Sequence, residues 1–143
     1  MTLRHGIPSD AKALDVLEHQ LFTCNDYPLS RRMFYYHIRH NLLIVAYEHD
    51  TLAGYGLMLT NRRTPKLYSL AVARAFWNRG VATALLKALH RSLGDAASVL
   101  EVRTDNTSAI ALYEKHGYRT LKILKGFYKK SGDAYLMKRE GKK

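Results

Sequence analysis

A loop between a predicted strand and a predicted helix carries residue types that suit phosphate binding. Within residues 70–86, an apolar run of strand type leads to Arg79 and Gly80, and a helical pattern then begins at Val81. Backbone N–H groups at a helix N-terminus are unpaired and carry partial positive charge, so they can bind a phosphate. Gly80 allows close approach of a ligand, and Ala82 keeps the first turn small. An ordinary strand–helix connection has the same pattern, so the loop alone leaves both interpretations open.

Other chemical sites are excluded by their spacing. The Gly-Lys-Ser/Thr ending of a nucleoside-triphosphate loop and the three-glycine dinucleotide fingerprint are both absent from the sequence. His37 and His40 are three residues apart, but no Cys or acidic residue is spaced with them for zinc, so we expect no metal. Cys24 has no evident activating neighbour, so we expect no catalytic thiol.

A second segment, residues 100–118, reads LEVRTDNTSAIALYEKHGY. The preceding alternation predicts a strand with Leu100 and Val102 on one face and Glu101 on the other. Asn106 is placed to cap a following helix, and Gly117 is placed to end it. The segment therefore predicts a strand, a capped helix and a turn in succession.

The elements that must position these segments alternate along the chain. Ser9-Asp10 predicts the cap of a first helix that residues 24–28 interrupt, and Ser30 precedes a second helix over 31–40. Residues 81–93 carry apolar side chains at helical spacing. Strands are predicted over 42–47, 52–59, 67–72, 99–103, 118–124 and 134–138, the first two forming a hairpin. The pattern predicts a mixed α/β sheet with helices on its faces.

Length and composition favour one globular domain covering residues 1–143. The chain has 143 residues, of which 47% are hydrophobic, and one cysteine, which excludes an internal disulfide. No apolar run reaches the roughly 20 residues that span a bilayer, and the polar start MTLRHGIPSD lacks the apolar stretch of a signal peptide. We therefore expect a cytoplasmic protein that does not associate with membranes.

The positive charge is concentrated at the end of the chain. The formal net charge is +11, and residues 119–143 hold nine Lys or Arg residues against two acidic ones. Such a cluster suits a ribosome or another polyanion, although a solvated surface explains it equally simply.

The two chemical segments together resemble the GNAT superfamily of N-acetyltransferases. The run Asn-x-x-Ala-x-x-Leu-Tyr-x-x-x-Gly-Tyr, over residues 106–118, resembles the acetyl-CoA-binding half of these enzymes, and the earlier loop resembles their pyrophosphate loop. Leu-Glu-Val-Arg at 100–103, Phe127-Tyr128 and the ending at 133–139 are most similar to the ribosomal-protein-alanine type of Nα-acetyltransferase. The resemblance implies an α/β (α+β) fold, with a mixed, mostly antiparallel sheet of six to seven strands and about four helices.

The resemblance also implies roles for individual residues. Glu101 matches the general base, acting through water, and Tyr113 matches the general acid that protonates the coenzyme A sulfur. The residues that match the acetyl-CoA site are Leu70, Ala71, Val72, Asn78, Arg79, Gly80, Val81, Ala82, Thr83 and Asn106. Trp77 departs from the Gln or Arg that usually begins the pyrophosphate loop, and Arg74 or Arg79 could compensate in charge.

The acceptor side is defined less sharply by the resemblance. Phe127 and Tyr128 resemble an aromatic pair that shapes a peptide groove, although packing between the last strands is an alternative. Tyr27 and Tyr35 are lining candidates. The Tyr35-Tyr36 pair could also stack bases, but helix packing explains it more simply.

The implied reaction moves an acetyl group from acetyl-CoA to the α-amine of a protein or peptide N-terminus. Two alternatives remain: acetylation of a small amine or a lysine side chain, and a non-catalytic acyl-CoA-binding module that docks on RNA or a ribosome. A basic protein repels polycationic amines such as polyamines and aminoglycosides, which disfavours those acceptors. The sequence is compatible with either a monomer or a homodimer.

Overall fold

The computed structural model describes residues 1–23, 27–129 and 132–142. Over these residues the strands are β1 (Thr2–His5), β2 (Leu42–Glu48), β3 (Thr51–Leu59), β4 (Lys66–Val72), β5 (Ser98–Arg103), β6 (Tyr118–Leu124) and β7 (Ala134–Arg139). The helices are α1 (Ala11–Leu21), α2 (Arg31–His40), α3 (Val81–Ser92) and α4 (Thr107–Lys115), with short 3₁₀ helices at Pro8–Asp10 and Arg74–Phe76. Cys24 and most of the predicted break at 24–28 lie outside the described residues.

One sheet of seven strands organises the described part of the chain, in the order β1-β2-β3-β4-β5-β7-β6. Each neighbouring pair is antiparallel except β4 and β5, which run parallel. The predicted mixed, mostly antiparallel sheet and four helices are therefore confirmed. β1 was not predicted as a strand.

Two hydrophobic cores lie on the two faces of this sheet. On one face, α3 buries Val81, Leu85, Leu86 and Leu89 against strand residues that include Leu100, Val102 and Met137. On the other face, α1 and α2 contribute Leu14, Leu17 and Phe34, which pack with Val45, Tyr55 and Leu57. The helical spacing of apolar residues in α1 and α3 is what commits each helix to one face.

Glycines in β3 let α3 lie close to the sheet. A Cβ at Gly56 would lie 2.6 Å from the Cδ1 atom of Leu89, and one at Gly54 would lie 2.5 Å from the carbonyl oxygen of Ala71. Side chains at these positions would push α3 and β4 away from β3. The close packing fixes the position of α3 over β3, and α3 begins at the predicted phosphate loop.

Helix starts agree with the sequence at two of the three predicted caps. The Ser30 hydroxyl accepts from Met33 N (3.2 Å), and the Asn106 side chain accepts from Ala109 N (3.3 Å). Asp10 precedes α1 but makes no capping bond to it, so that prediction is wrong. Its carboxylate instead binds the Arg4 guanidinium at 2.8 and 2.9 Å, a stronger charge-assisted contact.

No helix in the described ranges is both long enough and apolar enough to cross a bilayer.

Candidate active site

The parallel strands β4 and β5 separate after a short contact. Only Lys66 pairs with Val99 and Leu67 with Leu100 among the described residues, although β4 continues to Val72. The remainder of β4 is paired on its other side with β3. The sheet therefore opens between β4 and β5 at their carboxyl ends.

The opening exposes main-chain groups of β4. Ala73 N donates to Ala53 O on the β3 side (2.8 Å). Because successive residues of a strand direct their main-chain groups to opposite sides, Ala71 also faces β3, while Leu70 and Val72 face the opening. An unpaired strand edge is a template for another extended chain, and an amide-bearing ligand can use it in the same way.

A groove of about 560 Å³ continues from this opening. It brings together nine of the ten residues that the sequence assigned to acetyl-CoA, namely Leu70, Ala71, Val72, Asn78, Gly80, Val81, Ala82, Thr83 and Asn106. Arg79 is not in the lining, because its guanidinium lies over the Phe76 ring at 5.1 Å from the centroid. Arg74 does line the groove, and it is the one Lys or Arg residue among the described residues that do so.

The loop before α3 has the backbone shape expected of an anion site. Asn78 and Gly80 have positive φ angles of 61° and 78°, and open space surrounds the position of a Gly80 Cβ. The first helical bond joins Ala84 N to Gly80 O (3.0 Å), so the amides of residues 81–83 precede the bonded turn. Residues 81–83 line the groove, so an anion bound there can accept from their amides.

Trp77 closes one end of the opening. Its indole Nε1 donates to the Val72 carbonyl at 2.7 Å, while 54% of the residue remains exposed. The bond ties the loop to the end of β4 and occupies a carbonyl that would otherwise face the groove. The main-chain groups of Leu70 and the N–H of Val72 remain available to a ligand.

Glu101 lies on the α1/α2 face of β5, as its alternation with Leu100 and Val102 predicted. Its carboxylate forms an ion pair with the Lys66 ammonium, and its side chain is 15% exposed. Lys66 could not be identified from the sequence, since only the β4–β5 register brings it close to Glu101. The ion pair holds the carboxylate at the point where the strands begin to separate.

Tyr113 lies on α4, on the opposite face of the sheet. Burial raises the pKa of its hydroxyl to about 12, and the nearby Tyr118 and Tyr128 add to the rise. Its ring meets Tyr118 edge-on, with centroids 5.8 Å apart. Tyr113 therefore stays protonated at neutral pH and can serve as a proton donor.

A buried cluster of hydrogen-bonded polar side chains packs next to Tyr113 through the Tyr118 ring. The Tyr118 hydroxyl lies 2.9 Å from His90 Nε2 and 2.6 Å from Ser98 Oγ, and all three residues are at most 3% exposed. Satisfied buried hydrogen bonds of this kind fix a single ring position. The Tyr118 ring in turn limits where Tyr113 can lie.

Of the aromatic residues predicted for the acceptor side, Phe127 and Tyr128 contact each other, whereas Tyr27 is separate and exposed. Phe127 and Tyr128 meet edge-on with centroids 4.9 Å apart, and the Arg103 guanidinium lies over the Tyr128 ring at 5.1 Å. Phe127 is 44% exposed, so it is not a core residue between the strands. Tyr27 is 76% exposed and follows the undescribed residues 24–26, and no contact places it at the groove.

Helix packing explains the Tyr35-Tyr36 pair only in part, since the Tyr36 ring contacts the His37 and His40 rings of the same helix. The two residues are 48% and 51% exposed, because Phe34 alone of the three neighbouring aromatics points into the core. In the described ranges, no three His, Cys, Asp or Glu side chains lie close enough together to hold a metal ion.

Comparisons with known proteins agree with this geometry. Residues 12–118 match the family model described as the acetyltransferase (GNAT) family. The N-alpha-acetyltransferase RimI of Mycobacterium tuberculosis is 34% identical over 92% of this chain and 87% of its own length. A protein of Mycobacterium leprae is 37% identical over 93% of this chain, which spans 39% of that protein.

A solved structure gives the same result. The ribosomal-protein-S18-alanine N-acetyltransferase from Escherichia coli superposes with a TM-score of 0.83 at 26% identity, covering 96% of this chain and 92% of that one. The family match spans most of the chain, and the fold is common to both structures. The chain belongs to the GNAT family of acetyltransferases.

Proposed function

We propose that residues 1–143 form one domain that transfers an acetyl group from acetyl-CoA to the α-amine of a protein or peptide N-terminus. The observation that carries the proposal is the separation of β4 from β5 after two residue pairs. It leaves a groove whose lining includes the loop before α3, and Glu101, paired with Lys66, lies where the two strands begin to separate. A 34%-identical relative named as an N-alpha-acetyltransferase supports the choice of acceptor.

The chain's residues fit acetyl-CoA in three places. The pyrophosphate accepts from the amides that begin α3, and Arg74 adds positive charge at the groove wall. The amide-containing arm pairs with the main chain of Leu70 and with Val72 N–H, as an added strand would. Asn106 lines the groove, and it contacts the arm near its thioester end in this proposal. Metal is not needed for any of these contacts.

The acceptor amine reaches the thioester from the α1/α2 face. An α-amine has a pKa near 8, so roughly 10% is neutral at pH 7, compared with under about 0.1% for lysine. Glu101, acting through water, takes the proton that the amine loses as its nitrogen attacks the carbonyl carbon. The ion pair with Lys66 keeps the carboxylate in position for this transfer.

Tyr113 completes the reaction from the other face of the sheet. When the C–S bond breaks, the sulfur leaves as a thiolate, and the Tyr113 hydroxyl donates the proton that converts it to a thiol. Burial raises the pKa of Tyr113 to about 12, and the same apolar surroundings raise the pKa of a buried thiol. Both pKa values therefore shift in the same direction, so the hydroxyl and the thiol change together.

The test is acetyl-CoA turnover, followed by thiol release, with short peptides of varied N-termini, spermidine and an aminoglycoside as acceptors. We expect turnover with peptides, and none when the N-terminus is blocked. Turnover with the small amines alone would refute a protein or peptide N-terminus as the acceptor, while the proposed acetyl transfer from acetyl-CoA would stand. Salt-sensitive RNA binding without turnover on any acceptor would instead favour a non-catalytic module that docks on RNA or a ribosome.

Two substitutions test the assigned roles. Glu101→Gln and Tyr113→Phe should each lower kcat by roughly 10²–10⁴-fold, because each removes one proton-transfer group. Glu114→Gln is the matched control, since Glu114 is an exposed acid on α4. Unchanged turnover in both variants, with acetyl-CoA binding intact, would refute the mechanism while leaving the fold assignment in place.

A further inference from the structure

Four rings form a continuous path on the surface from α2 to β4. The ring centroids of His40 and Tyr36 are 4.7 Å apart, those of Tyr36 and His37 are 5.3 Å apart, and those of His37 and Tyr68 are 6.3 Å apart. Tyr36 and Tyr68 are 51% and 48% exposed. We name these four residues the aromatic ladder. Large aromatic side chains that remain half-exposed are a feature of recognition surfaces.

Asn41 fixes the ladder in one arrangement. Its Oδ1 accepts from the backbone N–H groups of Thr60 (2.9 Å) and Asn61 (3.3 Å), which settles the orientation of the amide. The Nδ2 group must then donate to His37 Nδ1 at 3.0 Å. A ring nitrogen that accepts carries no proton, so His37 is neutral with its proton on Nε2. The same amide binds the end of α2 to the loop before β4.

Arginines without acidic partners flank the ladder. α2 contains no Asp or Glu, and its Arg32 and Arg39 are exposed. The loop that Asn41 holds continues into Arg62 and Arg63, which are also exposed. Within the described ranges, none of these four has a carboxylate within ion-pair distance, whereas Arg31 contacts Asp15 at 3.4 Å. The flanks therefore present uncompensated positive charge.

The ladder ends beside the candidate catalytic carboxylate. Tyr68 lies two residues along β4 from Lys66, which pairs with Glu101, and both Glu101 and His37 lie on the α1/α2 face. An extended chain advances about 3.3 Å per residue, so the ring-to-ring separations allow the ladder to span at most roughly five residues. A polypeptide whose N-terminus reaches Glu101 can continue along the ladder.

We infer that the aromatic ladder and its four flanking arginines bind the acceptor polypeptide downstream of its N-terminus and select segments that contain Asp or Glu. This inference rests on the proposed function, because it assumes a polypeptide acceptor. The arginines contact the carboxylates, and the exposed rings pack against the peptide's main chain and apolar side chains. A single-stranded nucleic acid also suits arginines and rings, but the end of the ladder at Glu101 favours a chain that begins with the acceptor amine.

The first test compares three peptides that share their first three residues. Positions 4–8 contain Asp and Glu in one peptide, Asn and Gln in the second, and Lys in the third. We expect the acidic peptide to have a KM about three- to tenfold below that of the amide peptide, with an unchanged kcat. The difference should shrink at high salt, since the arginines are exposed. Equal KM values for all three peptides, with turnover present, would overturn the inference and leave the proposed function standing.

The second test uses paired variants. Arg32→Gln/Arg39→Gln should remove most of the preference for the acidic peptide. Arg91→Gln/Arg119→Gln, which changes two exposed arginines on α3 and β6, should retain it. Tyr36→Ala should raise KM for the acidic and the amide peptide alike. A preference that responds equally to both arginine pairs would mean that net charge is responsible and would overturn the inference.

Binding separates this inference from the catalytic proposal. Fluorescence polarisation of labelled, N-terminally acetylated versions of the peptides needs no turnover. Selective binding of the acidic peptide that Arg32→Gln/Arg39→Gln abolishes, without turnover on any peptide, would support the ladder while refuting the proposed function. Tighter ladder-dependent binding of a labelled single-stranded RNA than of the acidic peptide would assign the surface to nucleic acid and overturn the inference.

Discussion

The His90–Tyr118–Ser98 cluster makes stability depend on pH in a way that can be calculated. His90 is 3% exposed, and burial, aided by the charge of Arg139, lowers its pKa to about 4. The imidazole is therefore neutral in the folded protein at pH 7. Protonation would put a charge into the core and turn Nε2 from a possible acceptor into an obligate donor toward Tyr118.

The sign follows from counting protons. Between pH 6.5 and about 4, the unfolded chain protonates His90 while the folded protein does not, so unfolding takes up a proton. The free energy of unfolding therefore keeps its full value above pH 6.5 and falls as the pH drops toward 4. The separation of the two pKa values corresponds to roughly 3 kcal/mol in total, of which about 2 kcal/mol is lost between pH 7 and pH 5.

Urea unfolding at pH 7 and pH 5 measures this loss. His90→Gln keeps a hydrogen-bonding side chain but cannot titrate, so its loss of stability over the same interval should be smaller by about 2 kcal/mol. His5→Gln, at an exposed position on β1, is the control and should behave like the unsubstituted protein. If His90→Gln and His5→Gln lose equal stability between the two pH values, the assignment of a buried neutral His90 is refuted.

Two further predictions concern the groove and the sheet beneath it. Trp77 is the sole tryptophan, so acetyl-CoA binding should change the intrinsic fluorescence, and Trp77→Phe, which removes the bond to Val72 O, should weaken binding about 2- to 10-fold by calorimetry. An unchanged dissociation constant would show that the bond has no role in binding. Gly54→Ala should lower the free energy of unfolding by about 1–3 kcal/mol, because its Cβ would lie 2.5 Å from Ala71 O. If urea unfolding of this variant is unchanged, β3 and β4 can move apart to accept the new Cβ without a loss in the free energy of unfolding.

Periodicity was sufficient to predict most of the fold. The helix beginning at Val81 and the hairpin of β2 and β3 carry strong apolar patterns, and tertiary packing follows the same patterns. β1 carries no such pattern, since three of its four residues are exposed and it is held by pairing with β2. A strand defined by its partner's edge rather than by its own side chains leaves little trace in sequence.

The candidate site also contains some features that the sequence predicts and others that it does not. The loop before α3 and the cap at Asn106 are local features, so motif spacing located them. The Lys66–Glu101 pair and the ladder arise from strand register and from the position of α2 above β4, which connect residues distant in the chain. Asp10 shows the opposite limit, because its carboxylate binds the Arg4 guanidinium and accepts from Ile7 N–H instead of capping α1.

The short contact between β4 and β5 has a mechanical consequence. Only two residue pairs join the β1–β4 and β5–β7 halves of the sheet in the described chain. A ligand arm that pairs with β4 would lie in this seam as an extra strand, contacting both halves at once. The bound cosubstrate would then connect the two halves, so its binding would reduce their relative motion and its release would restore that motion in each catalytic cycle.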